Sequence, residues 1–407
     1  MHTVRISPGD VRRAGQPSIW KDNSLHEEAN HWLNFEAIPS SQSPNTWSQM
    51  ARQLSWFLDY LEAMELEWCN LTREHLVDWR DAMLGTISPH TGELYSANTV
   101  RLQMLYVLQF LEYASAKGWY HGPLNFDHLH RTSIKRSLDS DFLAHTRTGK
   151  KVPIRRNKLL PKQKSIDTIK VLEKKEISAL FSQTIKPSDN RSASRTGRDW
   201  LIIAIPLFTG LRLDEVASLS VHPFNAIVLS DDEVLTERFI AVTGKGNKTR
   251  QVAFPDWLTR EIQTYIEGER RGVIIKMKQK RQESGLLLSH SSLRRAGQRL
   301  KKGGIRDVVE RLMLKAGLTV KKDILDVETG AIRVRTKAKY TMHCFRHSYA
   351  VYTYHAMRSS GEGDPWKRIQ MQLGHESVQT TINTYLKWVT FFGADRQAIN
   401  MLEALNG

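Results

Sequence analysis

Four clusters of functional side chains follow one another through the second half of this 407-residue chain. The first is Thr209-Gly210-Leu211-Arg212-Leu213-Asp214-Glu215. The second is Gly244-Lys245-Gly246-Asn247-Lys248-Thr249-Arg250. The third is His343-Cys344-Phe345-Arg346-His347. The fourth is Leu373-Gly374-His375, with Tyr385 ten residues further on. Arginines, a lysine, imidazoles and a phenol suit attack on a phosphodiester. Such an anion resists nucleophiles, and its transition state gathers charge on the non-bridging oxygens. Two guanidiniums, here Arg212 and Arg346, offer planar, permanently charged donors for those oxygens. One preorganised donor lost from such a site costs roughly 3–4 kcal/mol. A phenol forms an ester that stores the bond energy and leaves again as phenolate. Its unperturbed pKa is about 10, so it must lose its proton as it attacks.

Each cluster alone has a plainer reading. Arg212 next to Asp214 and Glu215 would make an ordinary surface ion pair. Lys245 and Lys248 both sit on a turn, where lysine is usually just solvated. His343 by itself would be a structural histidine, and His347 either packs or supports the site. Tyr385 is one of 11 tyrosines. Tyr349, Tyr352 and Tyr354 compete with it, but they lie in an apolar helical run and read as core aromatics.

In order, the clusters resemble the tyrosine recombinase (phage integrase) family, which includes Xer-type and lambda-integrase-like enzymes. The resemblance runs from about 170 to 390 and follows the family order Arg, Lys, His-x-x-Arg, His, Tyr. It implies a catalytic set of Arg212, Lys245, His343, Arg346, His375 and Tyr385. Tyr385 would be the nucleophile, His343 an acceptor for its proton, and Lys245 the general acid for the leaving 5′-hydroxyl. His375 would hydrogen-bond the phosphate. Glu215, three residues past Arg212 and on the same helix face, would orient Arg212 or His343. The product implied is a 3′-phosphotyrosine with a free 5′-hydroxyl, formed without metal, nucleotide or other cofactor. The function implied is site-specific recombination or integration for a mobile genetic element, by a homotetramer on double-stranded DNA. Accessory DNA-bending proteins or partner recombinases fit the same picture. Rival readings are topoisomerase-like (type IB) relaxation or resolvase activity, and a DNA-binding regulator that keeps the fold without turnover.

Bulk properties agree with a polyanionic partner. Lys and Arg total 59 against 43 Asp and Glu, a net charge of +16, and such an excess favours nucleic acid or an anionic surface. Two cysteines, Cys69 and Cys344, exclude a disulfide framework or a Cys-rich zinc site and suit a reducing compartment. The start, MHTVRISPGDVRR, has no apolar stretch of a secretory leader. The longest apolar run, Trp200 to Phe208, is far too short to span a bilayer. A cytoplasmic, nucleoid-associated protein without a membrane partner is expected.

The elements that must position these residues follow from periodicity. The fold class expected is mainly α with a small β-sheet: a helical core-binding (SAM-like) domain followed by an α+β catalytic domain. Residues 1–42 mix Pro, Ser, Gly and charge and read as a loose N-terminal arm. Residues 43–122 form the helical domain. A capping box is expected at Thr46-Trp47-Ser48-Gln49, ahead of an apolar face from Trp47, Met50, Leu54, Phe57, Leu58, Leu61 and Met64. Thr72 caps a second helix with Leu76, Trp79 and Met83. A third starts near Asn98 and stops near Gly118. Residues 123–168 are a basic linker, where Lys150, Lys151, Arg155 and Arg156 are DNA-contact candidates alongside Lys248 and Arg250. Residues 169–407 make the catalytic domain. In it, Phe239–Val242 and Gln251–Phe254 are strand-like across a Gly/Asn turn. An insertion is expected around 265–340, with an added loop or hairpin at Asp323 to Arg335. Ala394 to Leu405 has the spacing of a tail helix.

Overall fold

The computed structural model describes residues 1–6, 15–41, 43–88, 91–124, 159–162, 169–189, 197–229, 237–244, 247–277, 283–289, 296–325, 331–361 and 363–392. The candidate contacts Lys150, Lys151, Arg155 and Arg156, and the tail segment 394–405, lie outside the described residues. The chain divides into two units, Met1–Ser165 with Asp323–Arg333, and Ile166–Lys322 with Val334–Gly407. Among the described residues the architecture is mainly helical, with three small sheets. No helix among the described residues is long and apolar enough to cross a membrane.

The first unit begins with strands, where a loose arm was expected. β1 (His2–Ile6) pairs with β2 (Pro17–Lys21), and β2 with β3 (Ser24–Leu25). α1 (Glu27–Trp32) follows and runs into a π-helical turn, Leu33–Ala37. Asn30 is the clasp. Its amide oxygen accepts from the Ile19 N–H at 2.9 Å, and its amide nitrogen donates to the Ile19 carbonyl at 2.7 Å. Ile19, Trp32 and Leu33 are fully buried in the same core as the helices that follow. Polar composition hid this because only a few large apolar residues in the stretch do the packing.

α2 (Pro44–Ala63), α3 (Arg73–Gly85) and α4 (Ala97–Ala116) supply the rest of that core. α2 starts before Thr46, so the capping box expected there does not form. Pro44 occupies the first turn, where its missing N–H would have lacked a helical partner anyway. The predicted apolar face is buried from Met50 to Leu61, while Met64 past the helix end is exposed. Thr72 caps α3 as expected, accepting from the His75 N–H at 3.4 Å, while the His75 ring takes the Thr72 N–H at 3.2 Å. Gly118, just past α4, has φ +74, the left-handed conformation that ends helices.

The second unit is built around α6 (Gly197–Thr209), every residue of which is buried. α6 continues through Pro206 to Thr209. It is preceded by α5 (Lys174–Phe181) and followed by α7 (Leu213–Ser218) and α8 (His222–Asn225). β4 (Glu237–Thr243) and β5 (Thr249–Pro255) form the expected hairpin, from Glu237 opposite Pro255 to Thr243 opposite Thr249. Asn247 takes φ +57 in its turn. α9 (Asp256–Tyr265) runs through a π-helical turn into α10 (Arg271–Lys276). α11 (Lys302–Lys315) buries Ile305, Val309, Leu312 and Met313 in this core. Thus part of the stretch read as an insertion is core. β6 (Thr319–Leu325) pairs with β7 (Ile332–Ala338), where an added loop or hairpin was expected; Asp323–Arg333 of this stretch counts with the first unit. α12 (Met342–Ser360), α13 (Pro365–Leu373) and α14 (Val378–Phe392) carry the last two functional clusters.

Candidate active site

The tight joints at Gly210 and Gly374 bring the clusters together. Gly210 ends α6 with φ +69, and a Cβ there would stand 2.5 Å from Leu373 Cδ2 and 2.7 Å from Tyr349 Cδ1. Gly374 ends α13 with φ +65, and its Cβ would meet Arg250 Cδ at 2.7 Å. Only glycine accepts both the backbone conformation and the close approach. The ends of α6 and α13 and strand β5 are then tied by Gln372. Its amide nitrogen donates to the Thr209 and Ala253 carbonyls at 3.0 and 2.9 Å, and its oxygen accepts from the Ala253 N–H at 2.9 Å. Gln372 precedes the Leu-Gly-His cluster directly, yet its role has no signal in the sequence, since all three of its partners are backbone groups.

Two arginines converge on this joint. Arg346, on the first half of α12, is only 1% exposed. It donates to the Gly210 carbonyl at 2.7 Å and the Leu373 carbonyl at 2.6 Å. Burial, and then the positive Arg212 nearby, pulls its pKa down to about 10. Arg212 stands just before α7. Its guanidinium reaches Glu215 at 3.3 Å and the Leu373 carbonyl at 3.4 Å, and one third of the side chain stays open to solvent.

Glu215 is the buried carboxylate beneath them, 1% exposed. It accepts the Arg212 backbone N–H at 2.8 Å, and Arg250 binds it through both terminal nitrogens, at 2.6 and 3.0 Å. Burial alone would raise its pKa, but the hydrogen bonds from Arg250 and the Arg212 backbone hold it below the usual carboxylate range. Arg250 also donates to the Gln372 carbonyl at 3.0 Å. Sequence reasoning made Arg250 a contact to external phosphate. Its donors instead face inward, because a buried carboxylate needs a bidentate partner. Lys248 is exposed and pairs with the equally exposed Glu376 at 3.2 Å. Lys245 lies outside the described residues.

The nucleophile candidate lies against this pair. Tyr385, on α14, is 1% exposed. Burial pushes its phenol up to about 12, against the opposing pull of Arg346 and Arg212. The His375 ring lies parallel to it, centroids 6.3 Å apart at 10°. His375 Nδ1 is 2.9 Å from Thr381 Oγ1, and its backbone carbonyl accepts from Gln370. Burial, then Arg346 and Arg212, lowers the His375 pKa to about 4. His343 lies on the same turn as Arg346. Loss of solvent, then Arg346 and Arg212, holds its imidazole below the ordinary histidine range. The hydroxyl of Tyr385 meets His347, at 3.1 Å from Nδ1. His347 had only a supporting part in the sequence reading, since the motif draws attention to His343.

Around Tyr385 the one carboxylate described above, Glu215, is committed to arginines. Among the described residues one set of metal-ligand types lies together elsewhere, His2, Asp59 and Glu62 in the first unit. There Lys21 already pairs with Glu62 at 3.2 Å.

Transposase A from transposon Tn554 of Staphylococcus aureus is 24% identical over 365 residues, covering 85% of this chain and 83% of the transposase. The tyrosine recombinase XerD of Staphylococcus epidermidis is 27% identical over 211 residues, 52% of this chain and 56% of XerD. The solved structure of the XerH site-specific recombinase in a post-cleavage complex with difH substrate shares the fold. Its TM-score is 0.51 at 16% identity, with 90% of this chain and 88% of that chain covered. Residues 170–389, more than half the chain, match the model of the phage integrase family, and the chain belongs to that family.

Proposed function

We propose that this chain cuts and rejoins DNA strands as a site-specific recombinase or integrase, through a 3′-phosphotyrosine at Tyr385. One observation carries the reading: Tyr385 shares a cluster with two guanidiniums and two flanking imidazoles, held over a buried Glu215–Arg250 pair. Arg212, with its exposed third, and the remaining donors of Arg346 take the non-bridging oxygens of the scissile phosphate. Donors already fixed to Glu215, Gly210 and Leu373 need little reorganisation when charge develops, which is where such sites gain most. A phenol buried at neutral pH is protonated, so attack requires a base beside it and a nearby positive charge. Lys245 supplies the proton to the leaving 5′-hydroxyl, and His375 hydrogen-bonds the phosphate. Glu215 and Arg250 act on the reaction by positioning Arg212.

The net charge of +16 supports duplex DNA as partner. The similarity to Transposase A from transposon Tn554 supports recombination for a mobile element. The reading includes a homotetramer on two duplexes, assisted where needed by DNA-bending or partner recombinase proteins, and a cytoplasmic location. The test is incubation with a nicked suicide duplex, selected from a random-sequence pool by covalent capture on the wild-type chain. An SDS-resistant adduct is expected from the wild type and none from Tyr385→Phe. Absence of any adduct with the wild type, or its persistence in Tyr385→Phe, sinks the reading. DNA affinity should also fall steeply with salt, by roughly 0.9 log unit per tenfold rise for every phosphate neutralised. A flat salt profile contradicts a phosphate-tracking enzyme.

A further inference from the structure

The imidazole that meets the nucleophile is not the first histidine of the His343–Arg346 motif. It is His347, one residue past Arg346 on α12. Its Nδ1 lies 3.1 Å from the Tyr385 hydroxyl, and the two rings meet at 64° with centroids 5.6 Å apart. The phenol O–H needs an acceptor, and an imidazole nitrogen accepts only when it carries no proton. With the phenol donating, the bond selects a neutral His347 with its proton on Nε2. Burial, and then His343, Arg346 and His375 around it, lowers the His347 pKa to about 3, so it is neutral at physiological pH. The His343 ring packs edge-on against it, 4.4 Å between centroids. The titratable and charged groups facing His347 are therefore His343 and Arg346 from its own helix, His375 from the turn after α13, and Tyr385 from α14.

We propose that His347, rather than His343, is the catalytic base that takes the Tyr385 proton. As Tyr385 Oη bonds to phosphorus, its O–H bond breaks and the proton passes to His347 Nδ1. The bond from phosphorus to the 5′-oxygen breaks, and that oxygen leaves as a hydroxyl with the proton from Lys245. The phosphodiester is a monoanion before and after. In the reverse step the incoming 5′-hydroxyl gives its proton to Lys245, and Tyr385 leaves with the proton returned by His347. This rests on the strand-transfer reading and moves one role within it. A negative phosphate drawn in by Arg212 and Arg346 favours the imidazolium that forms. His343, packed edge-on against the ring, then acts as a positioning residue.

The test uses the full chain and the captured nicked duplex under single turnover, from pH 6 to 9. His347→Ala should slow adduct formation about 100-fold or more, the usual range for losing a general base. Its rate should climb about tenfold per pH unit as phenolate forms unaided, while the wild type levels off. His347→Asn keeps an acceptor near the position of Nδ1 but cannot hold the proton, so it should remain as slow. A duplex whose 5′-bridging oxygen is sulfur needs no acid for its leaving group. It should rescue Lys245→Ala but neither His347 variant. A rate within about threefold of wild type in either variant, or rescue of His347→Ala by the sulfur substrate, overturns the assignment. A wild type that forms no adduct sinks the strand-transfer reading instead, so the two failures are distinct.

Discussion

The two units bury polarity in different ways. Among the described residues, the buried polar side chains of the first unit are His2, Asn30, Gln53, Ser55, Ser88 and Gln103, with no carboxylate or guanidinium. The second unit buries several of both, including Glu176, Arg198, Asp199, Glu215, Arg270 and Arg346. Taking a charge out of water costs several kcal/mol unless it is paired and hydrogen-bonded. Here each is held. Glu176 accepts from Lys339 and Tyr340, both at 2.6 Å. Arg198 pairs with Asp199 and the Leu288 carbonyl, and Arg270 donates to the Gly285 carbonyl. The first unit's core is apolar packing with neutral hydrogen-bonding groups such as Asn30. Fixed charge appears in the core of the unit where Arg212 and Arg346 converge.

Substitutions in the two cores should separate these roles. Glu215→Ala strands Arg250 and the Arg212 N–H, and should cost about 3–5 kcal/mol of stability. It should also cut adduct formation by about 100-fold, because a misplaced Arg212 no longer meets the phosphate. Phe57→Ala empties a fully buried site where the ring packs edge-on against Trp79 at 4.8 Å. It should cost a similar 3–5 kcal/mol. At saturating DNA, however, the folded protein should cleave at the wild-type rate. Denaturant titration with single-turnover rates measures both. Equal rate losses in the two variants would break the comparison.

A smaller effect concerns pH. Four histidines of the second unit, His343, His347, His355 and His375, have pKa values lowered chiefly by burial, against one, His26, among the described residues of the first. A histidine lowered on folding takes its proton first in the unfolded chain. Its contribution is therefore intact above pH about 6.5 and is lost as pH falls toward the folded value, about 4 for His375 and about 3 for His347. Thermal unfolding followed between pH 7 and 4.5 should show the second unit losing stability faster. His347→Gln should flatten that slope. The smallest effect belongs to the first unit: Thr72→Ala removes the α3 cap and should cost about 1 kcal/mol in denaturant titration, with cleavage untouched.

Much of this was legible in the sequence because it is local. The faces of α2, α3 and α4 follow from three- and four-residue spacing, the β4–β5 hairpin from its Gly/Asn turn, and the α3 cap from Thr72. The N-terminal strands were missed because the apolar residues that pack, such as Ile19, are few in a polar stretch, and their burial depends on a core made elsewhere. The α2 start was displaced because Pro44 serves the first turn as well as Thr46 would have served the cap.

By itself the sequence determined the inventory: two arginines, a lysine, histidines and Tyr385, in an order that recurs in the phage integrase family. Side-chain chemistry and chain order are properties of the sequence, so they needed no coordinates. The partnerships were decided only by tertiary structure. Arg250 turned inward to Glu215 because a buried carboxylate 35 residues earlier in the chain requires it. His347, not His343, reached Tyr385 because α12 and α14 pack so that the position after Arg346 faces the phenol. Positions four apart share one face of a helix, one turn from each other, and only the packing of one helix on another selects which of them meets a group 38 residues away.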